Sequence, residues 1–205
     1  MVKAVLFDLY GTLVHLPLDR FPYMQLCRKV GCRKRLRESM TVESPTLIDF
    51  CSHLDVKPPD DITSLQLELE ADIQSAVIFT NALSTLQELK ERQIRIAVVS
   101  NLATPYKSVF YSLGLDQFVD FSVFSCEVGI AKPDSGIYET ALSLLEVDGQ
   151  DAIMIGDSMR SDVVGPASCG IKGILIDRGE SNPAENVINT LSGLQNISRR
   201  QSVST

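Results

Sequence analysis

Short apolar runs punctuate the chain at residues 4–8, 94–100, 121–124, 152–156 and 173–177. They lack the polar alternation of a strand with one wet face, so each predicts a strand covered on both sides of a sheet. Between them the apolar period lengthens to that of a helix. Residues 82–92 set Leu83, Leu86 and Leu89 on one face, and 105–113 carry Val109, Phe110 and Leu113. Residues 134–145 open on Asp134, suited to a helix start, and present Ile137, Ala141 and Leu144. Helices are also predicted at 161–169 and 184–194. Strand–helix alternation of this kind predicts an α/β fold with a doubly wound parallel sheet.

Residues 15–79 break the alternation, with helical patterns and no clear strand. One pattern covers 21–30, and a second starts at Ser44-Pro45, a capping residue followed by proline at the first helical position. The third, over 62–77, aligns Ile62, Leu65, Leu69, Ile73 and Ala76, and Pro58-Pro59-Asp60-Asp61 separates it from the second. The expected organisation is an α/β core of residues 1–14 and 80–197, a small all-helical cap of 15–79 and a loose polar tail at 198–205. Within the tail, Arg199-Arg200-Gln201-Ser202 matches a basophilic kinase site.

Composition narrows the classes. At 205 residues the chain is long enough to bury a core and carry an insertion. A formal net charge of −7 argues against a nucleic-acid or anionic-membrane binder, which needs a basic face. No apolar stretch approaches the roughly 20 residues that span a bilayer, and the N-terminus runs into a strand rather than a signal-like segment. A cytoplasmic protein is expected. Cys27, Cys32, Cys51, Cys126 and Cys169 show no CxxC spacing and read as buried, reduced thiols. His15 and His53 are the only histidines, and neither reads as catalytic. Nothing in the sequence sets the oligomeric state.

Candidate chemistry sits at the strand ends. The first apolar run stops at Asp8, and the fourth is followed by Asp157. Carboxyl ends of parallel strands are where ligands bind. Two carboxylates meeting there repel unless a proton or cation lies between them, which points to a metal. Four segments carry the pattern in order: Asp8-Leu9-Tyr10-Gly11-Thr12-Leu13, Val98-Val99-Ser100-Asn101, Gly129-Ile130-Ala131-Lys132-Pro133-Asp134, and Gly156-Asp157-Ser158-Met159-Arg160-Ser161-Asp162. Singly, each has an ordinary explanation. Thr12 and Ser100 could bond the local backbone, Lys132 could be a solvated charge, and Asp134 and Asp162 could serve helix starts.

Jointly and in this order they resemble the haloacid dehalogenase superfamily of hydrolases, over residues 1–14 and about 80–180. The resemblance implies a Rossmann-like core with a helical cap inserted after the first motif. It implies that Asp8 is a nucleophile forming a covalent aspartyl intermediate. It also implies Mg²⁺ held by Asp8, the Tyr10 backbone carbonyl and Asp157, with Asp162 in support. Lys132 would offset charge, Ser100 and the adjoining Asn101 amide would bind a phosphate oxygen, and Thr12 would hold the nucleophile loop.

Tyr10 departs from the phosphatases of the superfamily, which carry a second aspartate there to protonate the leaving alcohol. A phenol of pKa about 10 is a poor replacement near neutral pH. Members that cleave 2-haloacids do have tyrosine here, but they work without metal and replace the acid matching Asp157. Phosphonate-cleaving relatives use a cap lysine, a role that spacing does not assign to Lys29 or Lys34. One of the basic cap residues Arg28, Lys29, Arg33, Lys34, Arg35 and Arg37 could face an anionic substrate; most read as solvated surface. The expected activity is Mg²⁺-dependent hydrolysis of a small phosphorylated metabolite. The alternatives are a metal-independent 2-haloacid dehalogenase and a weakened binding or regulatory member.

Overall fold

A computed structural model describes residues 2–179 and 186–194. A six-stranded sheet runs in the order β5 (Phe121–Phe124), β4 (Arg95–Ser100), β1 (Ala4–Phe7), β6 (Ala152–Gly156), β7 (Lys172–Ile176), β8 (Val187–Ile188). Every pairing in it is parallel. The first strand lies inside the sheet, with Phe7 registered against Val98 of β4 and Ile155 of β6. The order therefore reverses around β1, and the crevice at its carboxyl end is the natural ligand site of such a sheet.

All four side chains of β1 are buried, and they alternate between two apolar layers. Val5 and Phe7 join Leu86 of α4 (Ala82–Glu91) and Val109 and Phe110 of α5 (Lys107–Ser112). Ala4 and Leu6 face Ile137, Tyr138 and Ala141 of α7 (Ser135–Leu145). A one-turn α6 (Ser125–Val128) follows β5. The sheet is thus doubly wound, as the unbroken apolar runs predict.

The inserted helices have their own packing centre. They lie between β2 (Val14–His15) and β3 (Val77–Ile78), which pair antiparallel as a short ribbon. Between them come α1 (Pro22–Lys29), a 3₁₀ turn at Arg33–Met40, α2 (Leu47–Leu54) and α3 (Ile62–Ser75). Leu26, Cys27, Leu47, Phe50, Leu65 and Leu69 pack together there.

Several predicted elements differ. The second inserted helix starts after Thr46 rather than at Ser44-Pro45. Thr46 Oγ1 accepts from the Asp49 amide at 3.1 Å and the Thr46 amide donates to Asp49 at 3.0 Å, a reciprocal cap that outcompetes the serine. The helix predicted over 161–169 is a π-helical turn at Met159–Val164 and a 3₁₀ turn at Pro166–Cys169. Pro166 has no amide to continue the first turn. In the region predicted as helix 184–194, the described part begins at 186, and its β-branched Val187–Ile188 pair adds to the sheet edge beside Leu175 and Ile176. The tail and its kinase-like string lie outside the described residues. All five cysteines are free; Cys27, Cys51 and Cys126 are buried, while Cys32 and Cys169 are half-buried. Among the described residues no helix is long and apolar enough to cross a membrane.

Candidate active site

Each predicted motif arrives on an adjoining strand end or loop. Asp8 follows β1, and its amide donates to the Ile155 carbonyl of β6 at 2.9 Å. Ser100 ends β4, Lys132 lies on the loop between α6 and α7, Asp157 follows β6, and Asp162 sits in the π-helical turn.

Lys132 is the hinge of the electrostatics. Its ammonium is buried and lies 2.7 Å from Asp8 Oδ1 and 2.6 Å from Asp162 Oδ1. Burial works against that charge, but the two carboxylates prevail and hold its pKa above the usual lysine value. Ser100 Oγ donates to Asp8 Oδ1 at 3.1 Å. The second oxygen of Asp162 accepts from the Ser158 amide at 3.0 Å. Burial pushes the Asp162 carboxyl up to about 6; Lys132 opposes the rise and the Asp8 charge adds to it. Asp157 is also raised, by burial first and then by Asp8.

Oxygens of Asp8, Asp157 and Asp162 lie within 4.8 Å of one another, so three acids share one small space. The close approach depends on glycine. Gly11 has φ +80°, and a Cβ there would come within 2.0 Å of Asp157 Oδ2. A Cβ on Gly156 would meet Asp162 Oδ2 at 2.2 Å. An all-oxygen, carboxylate-rich set of this kind suits a hard divalent cation such as Mg²⁺.

The other predicted residues take varied places. Asn101 exchanges two hydrogen bonds with the Lys132 backbone, donating to its carbonyl at 2.9 Å and accepting its amide at 2.8 Å. It therefore aims Lys132. Thr12 is buried, but its hydroxyl has no partner among the described residues. Its carbonyl instead accepts from Arg178 at 2.6 Å. Tyr10 turns its hydroxyl to the Tyr106 carbonyl, 2.8 Å away, and burial drives its pKa far above the ordinary phenol value. Of the basic insertion residues, Arg37 reaches the core, donating to the Ala131 carbonyl at 3.1 Å. Arg35 pairs with Glu38, and Lys29 with Asp61, both at 2.7 Å.

Sequence reasoning did not anticipate Arg178. It stacks 3.6 Å from the centre of the Phe79 ring and adds positive charge near Asp157. Its position directly after Asp177, at the end of a predicted strand, was the available signal.

Comparison with known proteins agrees with this arrangement. A family model described as haloacid dehalogenase-like hydrolase matches residues 2–170. The chain belongs to the haloacid dehalogenase-like hydrolases. A glyceraldehyde 3-phosphate phosphatase of Methanothermobacter thermautotrophicus is 32% identical over 204 residues, covering 86% of each chain. A ribulose-1,5-bisphosphate 5-phosphatase of Halopiger xanaduensis is 30% identical over 129 residues, 62% of this chain and 54% of that one. Among solved structures, a HAD phosphatase from Thermococcus onnurineus superimposes with a TM-score of 0.70 at 26% identity, covering 96% of this chain and 98% of that one. A solved dehalogenase reaches the same TM-score at 22% identity, covering 96% of each chain, so the shared fold does not separate the two chemistries within this hydrolase family.

Proposed function

We propose that this hydrolase is a Mg²⁺-dependent phosphatase of a small phosphorylated metabolite, working through an aspartyl phosphate on Asp8. The observation that carries the reading is the convergence of Asp8, Asp157 and Asp162 within 4.8 Å. A metal-independent haloacid dehalogenase has no use for Asp157, an acid whose ionisation the neighbouring Asp8 opposes. The phosphatase names of the relatives support the same reading.

Asp8, the Tyr10 carbonyl and Asp157 would hold Mg²⁺, with Asp162 in support. The ion supplies positive charge where an anionic phosphate meets an anionic nucleophile. Lys132 adds to that charge from within the protein and orients Asp8 through its 2.7 Å contact. Ser100 fixes the Asp8 rotamer by donating to its Oδ1. Residues 15–79 would act as the cap that excludes water and selects the substrate, and residues 1–14 and 80–197 as the catalytic core. The five free thiols agree with a reducing, cytoplasmic setting.

Tyr10 favours the dehalogenase as a second reading, because a departing halide needs no proton. One assay separates the two. Purified protein is given p-nitrophenyl phosphate with Mg²⁺ or with EDTA, and 2-chloropropionate under the same conditions, beside Asp8→Asn. Phosphate release that needs Mg²⁺ and Asp8 is the expected result. Halide release indifferent to EDTA, without phosphate release, overturns the phosphatase. Neither product, with wild type matching Asp8→Asn, supports a binding protein.

A further inference from the structure

The orientation of Tyr10 bears on which phosphates the site can cleave. Its hydroxyl donates to the Tyr106 carbonyl at 2.8 Å, and the two rings meet edge-on with centroids 5.8 Å apart. Tyr106 is held in turn from the inserted helices. Its own hydroxyl donates to Asp72 Oδ2 at 3.4 Å, and Asp72, 1% exposed, accepts the Arg20 amide with both oxygens at 3.2 and 3.0 Å. The Tyr10 proton is therefore committed to the seam between core and insertion.

The groups around Asp8 are committed as well. Lys132 is shared between two carboxylates, and Ser100 donates to Asp8 itself. Asp162 is engaged by Lys132 and by the Ser158 amide. Neither histidine helps: His15 lies against the Phe79 ring, and His53 is bonded to Glu38 at 2.9 Å. With Asp157 assigned to the ion in the phosphatase reading, the other groups brought to Asp8 are all engaged and none is left to protonate a departing oxygen.

We propose that the enzyme selects phosphoric anhydrides and acyl phosphates, whose leaving groups depart as stable anions, over phosphate esters of alcohols. The proposal rests on the phosphatase reading above. In the first step an Asp8 oxygen forms a bond to phosphorus while the bond from phosphorus to the leaving oxygen breaks. The leaving group carries that electron pair away as a phosphate or carboxylate and needs no proton. An alcohol would have to leave as an alkoxide. In the second step water attacks phosphorus, the bond to the Asp8 oxygen breaks, its pair returns to the carboxylate, and the water proton passes to the released phosphate. A positioned general acid contributes about 10²–10⁴-fold to such a step, and that factor is the expected handicap of alcohol esters here.

The test measures kcat/KM with Mg²⁺ for acetyl phosphate, inorganic pyrophosphate, aryl phosphates of graded leaving-group acidity and glycerol phosphate. Wild type is expected to decline steeply with leaving-group basicity, placing glycerol phosphate about 100-fold or more below acetyl phosphate. Tyr10→Asp, which restores a carboxyl, should raise the ratio of glycerol phosphate to acetyl phosphate turnover by about 10-fold or more. Tyr10→Asn, of the same size as aspartate but without an acidic proton to transfer, should leave that ratio low. If wild type cleaves glycerol phosphate as fast as acetyl phosphate, the proposal fails while the phosphatase stands. If no substrate releases phosphate and 2-chloropropionate releases halide, the phosphatase reading fails first and takes the proposal with it. Should the Tyr10 variants lose their folded melting transition, the wild-type slope decides alone.

Discussion

Gly11 illustrates how much the site depends on single atoms. With φ at +80° and its missing Cβ only 2.0 Å from Asp157 Oδ2, the position rejects any side chain on two grounds. Gly11→Ala is expected to push Asp157 away and to strain the nucleophile loop. Titration of Mg²⁺ by calorimetry should show affinity reduced about 10-fold or more, the loss typical of disturbing a ligand's surroundings. Unchanged affinity would mean that Asp157 does not bind the ion. Lys132→Met tests the charge balance. It leaves Asp8 and Asp162 facing each other without their cation, and breaking such a buried pair costs about 3–5 kcal/mol. Burial has already raised Asp162 to about 6. A raised carboxyl favours folding when protonated and opposes it when ionised. The loss in melting temperature should therefore be larger at pH 8 than at pH 5; an equal loss at the two pH values would show that Asp162 does not change its ionisation between them. Asp8, Lys132 and Asp162 were legible in the sequence because their residue types and order are distinctive. The Thr12 hydroxyl, unpartnered among the described residues, and the Arg178 contact were not, since they depend on positions far apart in the chain.

The strands of the core are the elements read most closely from sequence, because residues buried on both faces leave an uninterrupted apolar run. Residues 121–124 and 152–156 coincide with β5 and β6. The ribbon of β2 and β3 was not legible, as two residues per strand establish no period. Helix starts depended on which of several capping residues wins. At α2 the Thr46–Asp49 exchange wins over Ser44, so Thr46→Ala should cost about 1 kcal/mol. That change is readable as a lower urea midpoint. Ser44→Ala, whose side-chain hydroxyl caps nothing, should leave the start of α2 untouched in amide hydrogen exchange. Equal loss of protection in α2 from both variants would return the cap to the serine.

At the scale of the whole molecule, the question is how firmly the inserted helices sit on the core. The seam is polar: Arg37 donates to Ala131, the Ser44 amide donates to Thr104 at 3.0 Å, and Tyr106 donates to Asp72. Asp72 also steadies a strained strap. Arg20, whose amide it accepts, stands between Asp19 at φ +42° and Phe21 at φ +54°, left-handed conformations that cost of order 1–3 kcal/mol each. Asp72→Ala should free that strap. A hydrogen bond to a charged group contributes about 1.5–3 kcal/mol, and 1.4 kcal/mol is a factor of ten, so trypsin should cut after Arg20 about 10-fold faster or more. Cleavage after Lys90, at the far end of α4, serves as the internal control and should keep its rate. Equal acceleration at both sites would mean general loosening. No acceleration at Arg20 in a folded variant would mean that the strap is held by its own packing, and Asp72 would then have no part in fixing the insertion to the core.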